Sequence, residues 1–263
     1  MLQMVAAAGS HPGLRRATNE DSGYAGPSLL LVADGVGGSQ AGEVASATAT
    51  LAVARLAARR RGLEPVATLD AAVREAREAL VAHEQEHAGD QGLSTTLTAV
   101  LTDGRRCALV HLGDSRAYVL RRGRFASLTR DHTLTASMLR AGLLTPQQAE
   151  VSEHRHRITR WLGTQGVGDE LEPDLGRLEL EVGDRVVLCT DGVTDHVEDG
   201  ALARLVAGGT PEEVVARLVG AGLDGGGRDN LTVVVGDVVE RGAIATGGRV
   251  VGAAAEPVRA AVR

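Results

Sequence analysis

The alternation of apolar and polar positions divides the chain into strand-like and helix-like runs. Residues 21–33, DSGYAGPSLLLVA, read as two short strands around a Gly-Pro turn, the second apolar throughout and therefore buried on both faces. The next run, AGEVASATATLAVARLAARRRG, predicts a long Ala-rich helix that closes in arginines and a glycine, as a helix C-terminus prefers. A second helix carries the stripe Leu69, Val73, Ala76 and Leu80, which His83 and His87 continue on the same face. After Gly92, the runs STTLTAVLT, RRCALVHLG, RAYVLRR and RFASLT are separated by Asp103-Gly104, Gly113-Asp114-Ser115 and Gly123, and they predict an antiparallel meander. Residues 131–165 switch to short helical pieces around Pro146 and a polar SEHRHR stretch, the pattern of a surface flap over a scaffold. Strands return at LGRLELE and DRVVLCT, followed by helices near 199–207 and 211–220 and a last strand, NLTVVVGDV. Clear periodicity ends near residue 238, so 1–238 is expected to form one domain and 239–263 a flexible tail.

With 263 residues and 43% hydrophobic content, the chain can bury a large core. It holds one Phe, one Trp and two Tyr, so Val, Leu and Ala must fill that core. A net charge of -6 gives no electrostatic footprint for nucleic acid. Cys107 and Cys189 lie in apolar runs, where a free thiol acts as a small hydrophobe and suits a reducing compartment. No apolar run is long enough to span a membrane and no signal peptide opens the chain, so a soluble, cytoplasmic protein is expected.

Residues 83–87, HEQEH, spell a zinc peptidase motif, in which two imidazoles hold the metal and the glutamate acts as base. A zinc site at His83 and His87 needs a third protein ligand. The extended form of the motif would place Gly at 90 and His at 93, where Asp90 and Leu93 stand, and no Glu lies between Glu86 and Glu150. The motif reads instead as a packed or solvated helix end.

Four acids stand at the ends of the most apolar strands: Asp34 after SLLLVA, Asp114 after CALVHLG, Asp191 after RVVLCT, and Asp229 before NLTVVV. Asp-Gly is an ordinary turn signal, and at Asp103-Gly104 it is only that. Turn chemistry does not account for repeated carboxylates at strand mouths, because like charges that converge there repel unless cations neutralise them. Carboxylates without thiols or imidazoles suit hard ions such as Mg²⁺ or Mn²⁺.

The blocks GLRRATNED, VADGVGG, STTLTAVL, HLGDSRAYVL, LTRDHTL, ITRWLGT, LCTDGVTD and GGGRDNLTVVV occur in the order found in metal-dependent protein phosphatases of the PPM (type 2C) family, and the chain resembles bacterial members from about residue 3 to 238. The resemblance implies an α+β fold, a four-layer α-β-β-α sandwich of two antiparallel sheets flanked by helix pairs. It implies hydrolysis of phosphoserine and phosphothreonine by a water that bridges two Mn²⁺ or Mg²⁺ ions. By the same matching, Asp34 bridges the ions, the Gly35 carbonyl contributes a ligand, Asp191 and Asp229 hold one ion, and Asp21, assisted by Glu20, orients waters at the other. Bacterial relatives bind a third ion through the residue matching Asp114, shared with Asp191; Asp195 is a lesser candidate. Arg16 matches the phosphate-binding arginine, whereas Arg15 faces elsewhere and Arg116 supports a loop. The implied partners are phosphorylated proteins, as substrates of bacterial Ser/Thr kinases, and the kinases themselves. The chain departs from the family at the proton donor: Val36 and Ser39 stand where relatives carry histidine, which leaves the general acid unassigned between a metal-bound water and, if the flap brings it near, His132, for which a structural hydrogen bond is the favoured use. The same departure admits a catalytically weak phosphoprotein-binding member as the alternative.

Overall fold

The computed structural model describes residues 1–36, 41–164, 172–240, 242 and 247–256. In chain order the elements are β1 (Leu2–His11), β2 (Asp21–Ala25), β3 (Leu29–Asp34), α1 (Gly42–Arg59), α2 (Pro65–Glu86), β4 (Ser94–Thr95), β5 (Leu97–Thr102), β6 (Cys107–Leu112), β7 (Arg116–Arg121) and β8 (Arg124–Ser127). They continue with α3 (Leu134–Arg140), α4 (Pro146–Glu150), β9 (Leu162–Gly163), β10 (Asp174–Leu178), β11 (Arg185–Cys189), α5 (Asp191–Thr194), α6 (Asp199–Val206), α7 (Pro211–Asp224), β12 (Leu231–Glu240) and β13 (Arg249–Gly252). Among these residues the strands build one sheet in the order β1-β12-β11-β7-β8, a second in the order β10-β6-β5-β3-β2-β13, and a small ribbon of β4 and β9. The pairings of both sheets are antiparallel.

Strand periodicity explains the layering. Successive side chains point to opposite faces, so Leu29, Leu31 and Ala33 of β3 meet α1 and α2, where Ala45, Ala49, Val53, Leu69, Val73 and Leu80 are buried. The intervening Leu30 and Val32 face the other sheet and pack with Val186 and Leu188 of β11 and Val234 of β12. On the far side, Val187, Cys189, Val233 and Val235 meet Leu202 and Val206 of α6 and Val214 and Leu218 of α7. Three apolar layers thus separate helices, sheet, sheet and helices, which is the expected α-β-β-α order. Fully burying a Leu or Val contributes about 2 kcal/mol, and Leu30, Leu31 and Val32 have no exposed surface. Both cysteines are free and buried within these layers.

Three features differ from the sequence expectation. The meander is broken: β5 pairs with β6 and β7 with β8, but β6 and β7 belong to different sheets. Gly113-Asp114-Ser115 is therefore a crossing between sheets rather than a hairpin turn, and it carries Asp114 to the end of the molecule where the sheets meet. Residues 2–11, whose AAAG centre gives a weak pattern, form the edge strand β1, paired along its length with β12. The expected tail is partly ordered: β12 continues to Glu240, and β13 adds to the open edge of β2, with Arg249 opposite Ala25 and Gly252 opposite Ser22. Backbone pairing and the burial of Val251 among the residues between the sheets hold this short edge strand.

The flap leaves β8 and returns through β9. At its base Arg116 donates two hydrogen bonds to Asp131, at 2.9 and 2.7 Å, the supporting role expected of it, and Thr133 bridges to Ile158. Its far end is pinned by β9 against β4. Among the described residues no helix is long and apolar enough to cross a membrane.

Candidate metal centre

At one end of the two sheets lies a cleft of about 370 Å³. Asp34 reaches it from the end of β3, Asp114 from the crossing after β6, Asp191 from the first residue of α5, and Asp229 from the turn before β12. Arg16 and Glu20 line it from the β1–β2 loop, and His156 and Ile158 from the flap. The four aspartates singled out at strand ends therefore share one cavity. Val36 also lines it; Ser39 lies outside the described residues. Arg15 is exposed and is not among the lining residues.

The backbone at Asp34 is held by threonines of β4–β5. The Asp34 N–H donates to Thr96 Oγ1 at 2.9 Å, and the Asp34 carbonyl accepts from Thr95 Oγ1 at 2.8 Å and from the Thr96 N–H at 2.8 Å. The carboxylate is left to the cavity. Glycine at 35 is required by a close approach, since a Cβ there would collide with the Gly42 backbone. Asp21 stands opposite Asp34 in the β2–β3 register but beneath the cavity floor, fully buried. Its Oδ2 accepts the hydroxyl proton of Thr190 at 2.8 Å, while its Oδ1 has no partner. Asp114 Oδ1 is likewise buried without a partner.

Electrostatics make this crowding costly. Burial first, and then the nearby Asp191 and Asp229, push the Asp21 carboxyl up to about 7. Burial and Asp191 push Asp114 up to about 8. Asp34 is raised by burial, then by Asp21, Asp191, Asp114 and Asp229; Glu20 is raised by burial and by Glu43. Two orphaned buried carboxylate oxygens among several mutually repelling acids fit hard divalent cations held by oxygen donors. Asp34, the Gly35 carbonyl, Asp191 and Asp229 could hold such ions, with Asp21 behind them and Asp114 to one side.

Arg16 is half exposed and donates from Nη2 to Asp229 Oδ2 at 2.8 Å, so the anion-binding candidate is anchored on a metal-ligand candidate. His132 does not enter the cavity. It is 1% exposed, its Nδ1 accepts the Gly113 N–H at 3.3 Å, and its ring lies 4.5 Å from that of His111, so its use is structural. The histidine that reaches the cavity is His156, whose Nδ1 is 3.7 Å from Asp191 Oδ2 and whose Nε2 is 3.5 Å from Asp195 Oδ2. His156, Asp191 and Asp195 could together face a metal ion. Sequence reasoning missed His156; the available signal was the histidine-rich SEHRHR run within a flap expected to cover the site.

The HEQEH run is elsewhere, and among the described residues no third acid or imidazole gathers with His83 and His87 into a candidate metal-binding group. His83 Nε2 pairs with Asp90 at 2.7 Å, and His87 Nδ1 sits 3.0 Å from the His83 carbonyl. The rings stack at 4.1 Å, and Glu84 Oε1 accepts from both the Leu93 N–H and the Thr164 hydroxyl.

Comparison with known proteins agrees with this geometry. The family model described as protein phosphatase 2C matches residues 17–219. The serine/threonine protein phosphatase PstP of Mycobacterium tuberculosis is 44% identical over 234 residues, 89% of this chain and 45% of PstP, so the chain spans about half the length of that relative. Protein phosphatase PhpP of Streptococcus pneumoniae is 32% identical over 239 residues, covering 85% of this chain and 93% of PhpP. Among solved structures, the catalytic domain of PstP in complex with two manganese ions superposes with a TM-score of 0.82 at 42% identity, covering 91% of this chain and 100% of that one.

Proposed function

Because the chain belongs to the protein phosphatase 2C family, we propose that it is a metal-dependent serine/threonine protein phosphatase that hydrolyses phosphoserine and phosphothreonine on other proteins. The observation that carries this reading is the convergence of Asp34, Asp114, Asp191 and Asp229 from both sheets on one cleft, with Arg16 at its edge. Mn²⁺ or Mg²⁺ would be held by Asp34 between two ions, with the Gly35 carbonyl, Asp191 and Asp229 as further ligands. When bound, the pair of ions supplies a nucleophilic water at neutral pH and offsets charge on the attacking and leaving oxygens of an in-line displacement.

The chain's own groups do the rest. The planar fork of Arg16 binds two non-bridging phosphoryl oxygens and orients the ester. Asp21 stands behind Asp34, where bound cations would favour its ionised form, and the Thr190 hydroxyl fixes the direction of the Asp21 carboxylate. Ile158 and His156 line the flap side of the cleft. On this reading the substrates are phosphorylated proteins made by bacterial Ser/Thr kinases, and the kinases themselves, in the cytoplasm.

Phosphate release from a phosphothreonine peptide with added Mn²⁺ tests the assignment. Asp34→Asn and Asp191→Asn are expected to lose at least about a hundredfold in turnover, the scale of removing an electrostatic group from a reacting centre. Wild-type rates in both variants would exclude the two-ion site.

A further inference from the structure

Arg16 sits at the crown of a loop, residues 12–20, that has no helix or strand of its own. Such a segment holds a functional group in place only if something fixes both of its limbs. The carboxamide of Asn230 does so. Its Nδ2 donates to the Pro12 carbonyl at 3.0 Å on the outgoing limb and to the Thr18 carbonyl at 2.9 Å on the returning limb, and its Oδ1 accepts the Glu20 N–H at 2.8 Å. Asn230 is 5% exposed, so water does not compete for these bonds. Its backbone N–H meanwhile donates to Asp229 Oδ1 at 2.8 Å, and the other oxygen of that carboxylate takes Arg16 Nη2. The dipeptide Asp229-Asn230 thus grips the Arg16 loop at its neck and its tip.

We propose that Asn230 is a positioning residue for Arg16, closing the neck of the 12–20 loop so that the guanidinium meets the substrate phosphoryl group. The proposal rests on the phosphatase reading above. A carboxamide is the side chain of this size that gives two N–H groups and accepts a third. Aspartate in its place keeps the shape but loses both donors and faces two carbonyls with negative charge; leucine keeps the volume and loses all three bonds. Neither change alters the side chain of a metal-ligand candidate, and both keep the backbone N–H that Asn230 gives to Asp229 Oδ1, so the effect should fall on phosphate recognition more than on the chemical step.

The test is a double-mutant cycle on the full chain loaded with Mn²⁺. The variants are Asn230→Asp, Asn230→Leu, Arg16→Ala and the two doubles, and the readouts are KM and kcat on a phosphothreonine peptide, inorganic phosphate affinity by calorimetry, and thermal stability. Asn230→Asp and Asn230→Leu are expected to raise KM and weaken phosphate binding by about tenfold, with kcat changed by less than about threefold. In the Arg16→Ala background the same changes should leave KM and phosphate affinity within about twofold, because the residue they position is gone. The loss of thermal stability should be equal in both backgrounds. A KM effect of the same size without Arg16, or a loss of stability with wild-type KM, would overturn the brace alone. Wild-type protein that neither binds phosphate nor turns over the peptide would overturn the phosphatase reading and this inference with it.

Discussion

Glu84 accepts the hydroxyl proton of Thr164 at 2.5 Å. The glutamate of the HEQEH run thereby ties the end of the flap's return strand to α2, and the same Oε1 also accepts the Leu93 N–H at 2.8 Å, so the side chain serves as a structural tie. His83→Ala is expected to leave phosphatase turnover within about twofold of wild type and to change no metal stoichiometry. Glu84→Ala removes two bonds at a partly buried site and should cost about 1–3 kcal/mol in denaturant unfolding. Zinc-dependent peptide cleavage abolished by His83→Ala would refute this account.

Arg16 gives a second expectation. A lysine keeps the charge but is a point donor without the planar fork. Arg16→Lys should therefore fail to restore the KM lost in Arg16→Ala, with both variants roughly tenfold or more weaker for phosphopeptide in steady-state assays. A lysine variant with wild-type KM would mean that charge alone suffices.

His111 makes stability depend on pH. Its Nε2 donates to the Arg130 carbonyl at 3.0 Å and its Nδ1 accepts from Thr98 Oγ1 at 2.9 Å. Burial, followed by the neighbouring His132, holds its pKa down to about 4, against the pull of Asp131 and Asp174. The unfolded chain then takes up the proton first, so the contribution is complete above about 6.5 and is lost as pH falls towards 4. The loss amounts to about 3 kcal/mol. Urea melts of wild type and His111→Gln across that window should converge as the solution is acidified. Parallel curves would show that His111 does not titrate separately in the two states.

Ion removal gives the fourth expectation. Ligands that bind only the folded state stabilise it by about 2.7 kcal/mol at a hundredfold excess over Kd, which for a chain of this size is a melting shift of roughly 5 to 10 °C. Saturating Mn²⁺ should raise the melting temperature of wild type by that amount, chelator should reverse it, and Asp34→Asn should respond weakly. An equal shift in Asp34→Asn would place the stabilising ion elsewhere.

The layers of the fold were legible because β3, β5, β11 and β12 are apolar on both faces and their neighbours are amphipathic. The strand-end aspartates were legible for the same reason, since each interrupts an apolar run. What periodicity could not reveal was the sheet to which a strand belongs: Gly113-Asp114-Ser115 has the composition of a hairpin turn, yet it crosses between sheets. Strand β1 escaped notice because its small residues give no strong alternation, and β13 because it is four residues long within a Gly- and Ala-rich stretch. Asn230 was invisible as a contributor because its side-chain partners are backbone groups far away in sequence, which no local pattern encodes, and the SEHRHR run did not say which of its histidines faces Asp191 and Asp195.

The pairing of β13 with β2 has a consequence for any shortened version of the protein. A chain stopped at Glu240 would strip the last ribbon from the sheet and leave the main-chain donors and acceptors of Ser22 through Ala25 bare. Uncovered edges of this kind recruit other chains, so the trimmed molecule should self-associate in light scattering, and it would do so one residue away from Asp21.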